Sequence, residues 1–457
     1  EARPRLPTPP PAMASPAAAS RMAIKTFNKL NAAGLARFDP AIFRIAESSE
    51  TNAHAILLRS HKLTESDVPI MCRSIARCGA GTNNCNVARM TELGVPVFNT
   101  PGANANAVKE LVLCALFMSS RGVIEGAFHM DGLHAEGTAH ERIEKDKALF
   151  GGREIAGKTL GVVGLGAIGA AVLKAALGFG MDVVGYDPSL SVEGALRLPG
   201  RKMKMVDTLD ELAAVSDYVT LHAPYNDHTK GLVGSEFLGH MKRDACLLNF
   251  ARGELVDEAA LAAFFDSGAT GRYVCDFAVG PELSKRPNVI TIPHLGASTD
   301  EAEENAAAMA ADTTSLFLQT GSIRDSVNFP TTTLPVRDDT VMRVCLVNEN
   351  RPGMLGDILS VFGNSGINIT QQMNTSRGDV AYNVIDIERL ENFEDVHFKS
   401  WDALQFLLTS MDGVKSTRYI HGSKQSAKHS GFAVNFNGQV FGIGSNYTPS
   451  LPSFGEL

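Results

Sequence analysis

The stretch from Lys158 to Gly169 constrains the fold more than any other, because an apolar run gives way there to closely spaced glycines. Residues 160–163 have the composition of a buried strand, and residues 167–179 have the small first turn and apolar spacing of a helix. The glycines match the G-x-G-x-x-G pattern, in which they allow a tight turn, close approach of the backbone to a pyrophosphate and close helix packing. They are Gly164, Gly166 and Gly169.

A glycine pattern by itself is equally compatible with an ordinary tight turn, so the flanking sequence has to decide. The first turn of the following helix, around Ala167 and Ile168, would present N–H groups and a positive dipole end to an anion. Eighteen residues after Gly169, a second apolar run ends at Asp187, where a carboxylate would bind a ribose diol. This order of elements predicts a dinucleotide site. Asp187 favours NAD, because a 2′-phosphate would meet its negative charge.

Composition excludes several classes of protein. Hydrophobic residues make up 44% and charged residues 20% of the 457 residues, as in ordinary globular proteins. The net charge of -8, without a basic stripe, argues against a nucleic-acid partner. No apolar run approaches the roughly 20 residues of a membrane span, so we expect no membrane association. The seven cysteines lack metal-ligand spacing, which favours free thiols in a reducing compartment and no metal site.

The N-terminal stretch differs in composition from the rest of the chain. Residues 1–21 are rich in Pro, Ala and Ser, and we expect them to be disordered. They start without Met and could be vector-derived, an incomplete upstream frame or the end of an organellar transit segment. Met22 or Met13 is a candidate start. We therefore expect a cytoplasmic protein, with a plastid or another organelle as the alternative.

The rest of the chain alternates short apolar runs with helical patterns, and each run ends in a polar or glycine-containing loop. This alternation predicts an α/β fold with parallel sheets in two Rossmann-like or flavodoxin-like lobes. We expect a discontinuous substrate-binding domain at residues 22–103 and 298–330, and a NAD-binding domain at residues 104–297. The expected strands lie at residues 53–58, 74–77, 95–98, 160–163, 182–186, 218–221, 245–249, 272–275 and 289–292.

The C-terminal third has a different pattern. Residues 328–335 are typical of a linker. Strand, helix, strand, strand, helix and strand then follow within residues 337–423, which predicts a ferredoxin-like βαββαβ unit. Residues 424–457 are polar and rich in Gly, Ser and Asn, and we assign them to a C-terminal tail without a fold.

Two residues after predicted strands have side chains suited to catalysis. Arg252 follows the strand that ends at Asn249, and its guanidinium suits bidentate binding of a carboxylate. His294 follows the strand that ends at Ile292, and an imidazole can exchange a proton with a hydroxyl near neutral pH. Taken singly, Arg252 could form a surface salt bridge and His294 could be a capping residue. Their shared position beside a dinucleotide site favours catalysis.

Four motifs, in this order along the chain, carry a family resemblance. From about Ile24 to Pro330 the chain resembles the D-2-hydroxyacid dehydrogenases, and in particular the branch that acts on 3-phosphoglycerate. The C-terminal βαββαβ unit resembles an ACT regulatory domain. The motifs are Gly164-Leu-Gly-Ala-Ile-Gly169, His222-Ala-Pro224, Asn249-Phe-Ala-Arg-Gly-Glu-Leu-Val-Asp257 and Pro293-His-Leu-Gly-Ala-Ser-Thr299.

The resemblance implies NAD-dependent oxidation of 3-phospho-D-glycerate to 3-phosphohydroxypyruvate, the first step of L-serine biosynthesis, in a homodimer or homotetramer with serine feedback. It implies that Arg252 binds the substrate carboxylate and that His294 exchanges the hydroxyl proton. Other roles carry over by position. They are Arg59 and Ser60 for the phosphate; Ala80 and Gly81 for the carboxylate; His222, Ala223, Pro224, Ala251 and Asp276 for the cofactor; and Asn348, Asn350 and Asn368 for serine.

The chain also departs from the family pattern. Relatives carry an acid a few residues after the Asp276 position that orients the catalytic histidine, and here Glu282 is the nearest candidate. Asn348 stands where some serine-sensitive relatives have a histidine. Two other functions remain open: a hydroxypyruvate or glyoxylate reductase, and a NAD-sensing corepressor or scaffold. The displaced acid favours the corepressor, and the presence of both Arg252 and His294 opposes it.

Overall fold

The computed structural model describes residues 21–335, 341–388, 401–421 and 431–442. The tail expected at residues 1–21 therefore lies almost wholly outside the described residues. The chain divides into two compact units: unit 1 comprises residues 1–100 and 306–457, and unit 2 comprises residues 101–305.

The N-terminal part of unit 1 is a parallel sheet. Its order is β2-β1-β3-β4-β5, the flavodoxin-like arrangement. β3 is buried along its whole length, as expected of a strand that helices cover on both faces. The strands are β1 (Met22–Thr26), β2 (Phe43–Ala46), β3 (Ala55–Leu58), β4 (Ser74–Arg77) and β5 (Val97–Phe98), and the helices are α1 (Ala32–Leu35) and α2 (Val87–Glu92).

Unit 2 begins with the helices α3 (Ala105–Ser120), α4 (Val123–Glu136) and α5 (Ala139–Asp146). Among the described helices, none is by itself long and apolar enough to cross a membrane, although the pair α3 and α4, bent by 67°, meets the length and composition test together.

A second parallel sheet follows, in the order β12-β11-β10-β9-β6-β7-β8. Successive residues of β6 face opposite cores: Leu160 and Val162 pack on one side and Val163 on the other. The strands are β6 (Thr159–Val163), β7 (Asp182–Tyr186), β8 (Lys204–Met205), β9 (Tyr218–Leu221), β10 (Cys246–Asn249), β11 (Tyr273–Cys275) and β12 (Val289–Thr291). The helices are α6 (Ala167–Gly178), α7 (Val192–Leu196), α8 (Leu209–Val215), α9 (Ser235–His240), α10 (Glu258–Asp266) and α11 (Pro281–Ser284).

The chain returns to unit 1 through α12 (Asp300–Thr320) and ends in an antiparallel sheet of order β14-β15-β13-β16-β17-β18. The first four strands in this order have the ferredoxin-like arrangement. Together with the two parallel sheets they confirm the predicted fold class. The elements are β13 (Val341–Glu349), α13 (Met354–Asn364), β14 (Ile369–Arg377), β15 (Val380–Glu388), α14 (Trp401–Ser410), β16 (Val414–His421), β17 (Phe432–Phe436) and β18 (Gln439–Phe441).

Strands β17 and β18 correct the assignment of residues 424–457 to a tail without a fold. They form a hairpin whose turn residues, Asn437 and Gly438, have φ values of 52° and 82°, as a two-residue hairpin turn requires. β17 pairs with β16. Its residues Phe432 and Val434 are buried in the same core as Ile56 of the first sheet. The hairpin therefore joins the C-terminal sheet to the N-terminal sheet.

The predicted linker is also packed rather than loose. Asn328 is buried, accepts a hydrogen bond from the N–H of Val97 at 2.8 Å and donates to the carbonyl of Val95. Further along, the buried Arg343 donates to the carbonyl oxygens of Leu334 and Pro335 and pairs with the buried Asp386 at 2.7 Å. The connection is thus fixed at both ends.

Candidate active site

The carboxyl ends of the strands in unit 2 lie in one row. Direct pairing joins Val163 to Tyr186 and to Leu221, and continues through Asn249 and Cys275 to Thr291. Because these residues end their strands, the loops that follow all leave from the same edge, where α/β sheets bind ligands. These loops carry Gly164, Asp187, His222, Arg252, Asp276 and His294.

The glycine loop has the geometry of a dinucleotide cradle. Gly164 has φ of 90°, and a Cβ there would lie 2.7 Å from the carbonyl oxygen of His222. A Cβ at Gly169 would overlap the carbonyl oxygen of Gly164. Gly166 is the N-cap residue of α6 and has no side chain that could accept a hydrogen bond from the first turn. The space that a Cβ would occupy there is open. The first-turn N–H groups of Ala167 and Ile168 are therefore open to a phosphate.

Asp187 is held by the backbone, since its two carboxylate oxygens accept hydrogen bonds from the N–H groups of Leu165 and Ser189, each at 2.9 Å. His222, which precedes Ala223 and Pro224, bonds to Thr220 through Nε2 at 3.0 Å. Burial lowers the pKa of His222 to about 3, so its ring is neutral. Its buried Nδ1 has no hydrogen-bond partner among the described residues. A glycine cradle with an orphaned polar atom beside it fits a bound dinucleotide.

Arg252 stands on a loop that a buried asparagine braces. Asn249, fully buried at the end of β10, accepts a hydrogen bond from the N–H of Ala251 and donates to the carbonyl of Arg252 at 2.8 Å. The guanidinium of Arg252 uses one N–H on the carbonyl of Ala251 and keeps others for an anion. Asn249 lies within a motif quoted above, but no site role was assigned to it. Its position as the last residue of a buried strand could have suggested one.

His294 is exposed, and its ring makes an edge contact with Phe277, with the centroids 5.1 Å apart. The carboxylate that interacts with its charge is Asp276, which is 1% exposed. Burial raises the pKa of Asp276, while the charges of His294 and Arg252 and a hydrogen bond from the N–H of Gly296 at 3.2 Å act in the opposite direction. The Oδ1 atom of Asp276 has no partner in the described part of the chain. Asp276 is therefore a buried carboxylate whose charge His294 and Arg252 stabilise.

Glu282, the acid proposed from the sequence, occupies a different environment. It is exposed in the first turn of α11, and its backbone carbonyl accepts a hydrogen bond from Arg286. No hydrogen bond or ion pair joins its side chain to His294, both of which the structure describes. The charge of His294 thus acts to lower the pKa of Asp276, and no described hydrogen bond or ion pair joins His294 to the side chain of Glu282.

In unit 1, the loop after β3 is organised by Asn28. Asn28 has a positive φ of 67°, and its Oδ1 accepts hydrogen bonds from the N–H groups of Arg59, Ser60 and His61, the shortest at 2.9 Å. His61 stacks on Phe27, with ring centroids 4.1 Å apart. This bracing fixes the backbone from which the side chains of Arg59 and Ser60 project.

The loop after β4 supplies free N–H groups beside a second arginine. The N–H groups of Ala80 and Gly81 have no hydrogen-bond partner in the described part of the chain. Arg77 pairs in register with Leu58, and its Nε donates to the carbonyl of Arg59 at 3.2 Å. Arg77 was not selected from the sequence. The signal was available, because it ends a strand adjacent to the one that precedes Arg59.

The residues expected to bind serine lie at two ends of the C-terminal sheet and differ in exposure: Asn348 and Asn350 are at the end with the β14–β15 turn, and Asn368 is at the opposite end, beside Glu388. Asn348 is 2% exposed, donates to the carbonyl of Glu349 and accepts from the amide of Asn383 at 2.7 Å. Asn350 donates to the carbonyl of Gly378, and Asn368 donates to Glu388. Asn348 is therefore part of an internal amide network, whereas Asn350 and Asn368 are accessible.

Comparison with known proteins assigns the family. Residues 123–296 match the NAD-binding domain of the D-isomer specific 2-hydroxyacid dehydrogenases. The chain is 34% identical over 350 residues to D-3-phosphoglycerate dehydrogenase of Dictyostelium discoideum, which covers 74% of this chain and 81% of the relative. The chain belongs to the D-2-hydroxyacid dehydrogenase family. The Escherichia coli K12 D-3-phosphoglycerate dehydrogenase is 33% identical over 372 residues, covering 79% and 86% of the two chains.

Solved structures agree at the level of the fold. The NAD+-bound 3-phosphoglycerate dehydrogenase of Entamoeba histolytica aligns with a TM-score of 0.54 and 23% identity, over 68% of this chain and 99% of that chain. The D-mandelate dehydrogenase of Rhodotorula graminis aligns with a TM-score of 0.59 and 22% identity, over 69% and 99%. The chain is thus a NAD-dependent D-2-hydroxyacid dehydrogenase.

Proposed function

We propose that this enzyme oxidises 3-phospho-D-glycerate at C2 to 3-phosphohydroxypyruvate with NAD, at the entry to L-serine biosynthesis. The observation that carries the proposal is the row of strand ends in unit 2, which sets Arg252, Asp276 and His294 on the edge that bears the glycine cradle. The names of the relatives at 33–34% identity support the phosphorylated substrate.

In the proposed reaction, a NAD held by the glycine loop and Asp187 would supply the hydride acceptor for C2, and the C2 hydroxyl loses a proton. Arg252 binds the substrate carboxylate with two parallel N–H groups and polarises the reacting carbon. His294 takes the hydroxyl proton, and the carboxylate of Asp276 stabilises the positive charge that the imidazole then acquires. The products are a 2-oxo acid, the reduced cofactor and the proton held by His294.

Taken by itself, unit 1 has two loops whose groups suit the two anionic ends of the substrate. The free N–H groups of Ala80 and Gly81 suit the carboxylate, and Arg59 and Ser60 suit the phosphate. Arg77, which is tied to the Arg59 loop, would add a second positive charge near that phosphate. A dianionic group bound by two guanidinium groups distinguishes phosphoglycerate from an unphosphorylated acid.

The decisive experiment compares NADH oxidation with 3-phosphohydroxypyruvate, hydroxypyruvate, glyoxylate and 2-oxoglutarate. The proposal expects 3-phosphohydroxypyruvate to have the highest kcat/KM. A preference for hydroxypyruvate or glyoxylate would reassign the enzyme to the reductases. Absence of turnover with all four, together with tight NADH binding, would instead support a NAD-sensing corepressor or scaffold.

We also propose that L-serine regulates the enzyme through the C-terminal domain. The accessible side chains of Asn350 and Asn368 lie at opposite ends of the C-terminal sheet, so they would bind one serine only where two copies of the chain meet, and Asn348 would keep the end of β13 in place through its amide network. Serine should lower activity in a saturable way. Asn368→Ala should remove the response without changing the rate measured in the absence of serine, and a full response in that variant would refute the assignment.

We propose a homodimer or homotetramer that uses the helices at the start of unit 2. These helices expose large apolar side chains: Val123 is 59%, Phe128 73% and Leu149 72% exposed. Light scattering should give a dimer or tetramer for the wild type and a smaller species for Phe128→Asp. Val192→Asp, which replaces an equally exposed apolar residue on α7, is the control and should leave the mass unchanged.

A further inference from the structure

Phe277 contacts residues on both of the loops of unit 2 that carry Arg252 and His294. Its ring meets the imidazole of His294 at an interplanar angle of 90°, with the centroids 5.1 Å apart. A Cβ built on Gly253, the residue after Arg252, would lie 3.8 Å from Cβ and from Cγ of Phe277. The base of the Phe277 side chain therefore lies beside one loop, and its ring contacts the residue on the other.

The ring of His294 depends on packing for its orientation. His294 is exposed, and in the described part of the chain neither of its ring nitrogens has a hydrogen-bond partner. An exposed side chain without such a bond exchanges between rotamers. Two aromatic rings favour an edge-to-face arrangement with centroids about 4.5–7 Å apart, and the contact with Phe277 has this geometry. The contact therefore favours one orientation of the imidazole.

The backbone around Phe277 is itself fixed. The carbonyl of Phe277 accepts a hydrogen bond from the buried thiol of Cys275 at 3.6 Å. Further along the loop, the N–H of Gly280 donates to Oε2 of Glu258 at 2.8 Å. A Cβ at residue 280 would lie 2.8 Å from that oxygen, so the glycine leaves room for the carboxylate. The loop after β11 is thus tied at its start by Cys275 and at its end by Glu258.

Glu258 connects this loop to the one that carries Arg252. It is the first residue of α10, the helix that follows the Arg252 loop. The N-cap residue Asp257 fixes this end of the helix, because its side chain accepts hydrogen bonds from two N–H groups of the first turn. The carboxylate of Glu258 therefore ties Gly280 to a capped helix end.

We propose that Phe277 is a positioning residue that sets the orientation of the His294 imidazole, and that Glu258 holds the loop from which Phe277 acts. The inference rests on the proposed role of His294 in proton exchange. A general base must lie within about 2.6–3.2 Å of the atom whose proton it takes. Misplacement by about 1 Å can lower the rate about 100-fold. Loss of the aromatic contact should therefore slow the reaction and leave substrate binding by Arg252 intact.

Phe277→Leu removes the aromatic contact alone. Leucine keeps Cβ and Cγ, the two atoms beside Gly253, and lacks the ring that contacts His294. With the 2-oxo acid that the wild type prefers, the single-turnover rate of NADH oxidation should fall about 10- to 100-fold. The 2-oxo acid concentration that gives half of the maximal rate, and the Kd of NADH, should change by less than about twofold.

Two further variants control for the loss of volume. Phe277→Tyr keeps the aromatic ring and should stay within about threefold of the wild-type rate. Phe264→Leu shortens another partly buried phenylalanine that packs on the same core, and it should keep the wild-type rate.

Substitutions of Glu258 test the hydrogen bond to Gly280. Glu258→Ala removes the acceptor and should lower the single-turnover rate about 10-fold. Glu258→Gln retains an oxygen that can accept from Gly280, so its rate should stay within about threefold of the wild type. Glu236→Ala, which replaces an exposed acid in the first turn of α9, is the control and should have no effect.

His294→Ala separates this inference from the proposed function. A wild-type rate in His294→Ala would show that His294 is not the base, and the proposed reaction would fail first. A loss of at least about 100-fold in His294→Ala, together with a wild-type rate in Phe277→Leu, would overturn the positioning role alone. The positioning role would also be overturned if Phe277→Tyr were as slow as Phe277→Leu, or if NADH binding weakened in proportion to the rate.

Discussion

Replacing Asp276 with asparagine tests the assignment of the acid that supports His294. The substitution keeps the shape of the side chain and its hydrogen bond from Gly296, but it removes the negative charge. His294 then loses the charge that would stabilise its protonated ring. Two unit charges close together near a protein surface interact by about 1–4 kcal/mol. Since about 1.4 kcal/mol corresponds to a tenfold change in rate, kcat should fall about 10- to 100-fold.

The same substitution should not destabilise the fold. Burial raises the pKa of Asp276 above the ordinary value of 3.8, so the folded state binds its proton more tightly than the unfolded chain does. The free energy of unfolding therefore falls as the pH rises from about 4 through the raised pKa. An asparagine side chain at this position cannot ionise and avoids this loss. At neutral pH, Asp276→Asn should have an unchanged or higher Tm together with its lower kcat.

Steady-state kinetics of 3-phosphoglycerate oxidation and thermal unfolding of the same samples check this prediction. Glu282→Gln is the matched control, because Glu282 is exposed and should change kcat by less than about twofold. If Asp276 acts only on the cofactor, as the sequence suggested, Asp276→Asn should raise the KM for NAD with little change in kcat. That pattern, or a larger loss of kcat in Glu282→Gln, would refute the role assigned to Asp276.

Three further substitutions test the cofactor cradle and the packing of unit 1. Gly164→Ala should weaken NADH binding at least about 10-fold in a fluorescence titration, because the positive φ of Gly164 and the nearby carbonyl of His222 exclude a Cβ. Gly178→Ala is the control and should leave NADH binding unchanged, because Gly178 has open space around it and an ordinary φ. Phe432→Ala should lower the free energy of unfolding by about 3–5 kcal/mol in urea, as truncation of a buried aromatic ring does; a loss below about 1 kcal/mol would show that the hairpin is not part of the core. Asp386→Ala should cost about 3–5 kcal/mol by the same measurement, because it leaves the buried charge of Arg343 without its partner.

Most of the parallel architecture could be predicted, because each strand of unit 2 is an apolar run that stops at a polar loop. The expected strand at residues 182–186 is observed with the same bounds, and the one at residues 160–163 differs by one residue. Parallel strands end at a common edge, so the loops that carry Arg252 and His294 could be placed together from order alone. The sequence does not determine which residues of neighbouring strands lie side by side. The structure does, and it pairs Asn249 directly with Cys275.

The hairpin was missed although its local signal is strong. Asn437-Gly438 is the sequence most typical of a two-residue hairpin turn, and four of the five residues before it are apolar. The composition of residues 424–457 as a whole is nevertheless that of a tail. The two-residue turn motif was outweighed by the average composition of the 34 residues that contain it. What fixes the hairpin is the burial of Phe432 and Val434 in a core formed by strands about 370 residues earlier, which no local pattern contains.

The two acids that could support His294 differ in how far they are buried. Counting residues from a family motif locates a side chain along the chain but says nothing about burial, and burial decides whether a carboxylate interacts strongly with a nearby charge. Glu282 is exposed at the start of α11, where water screens its charge. Asp276 directly follows a buried strand and is itself buried, so water screens its charge less than that of Glu282. A carboxylate in that position can support the histidine without the acid that relatives carry further along the loop, and the displaced Glu282 is then no argument for a loss of catalysis.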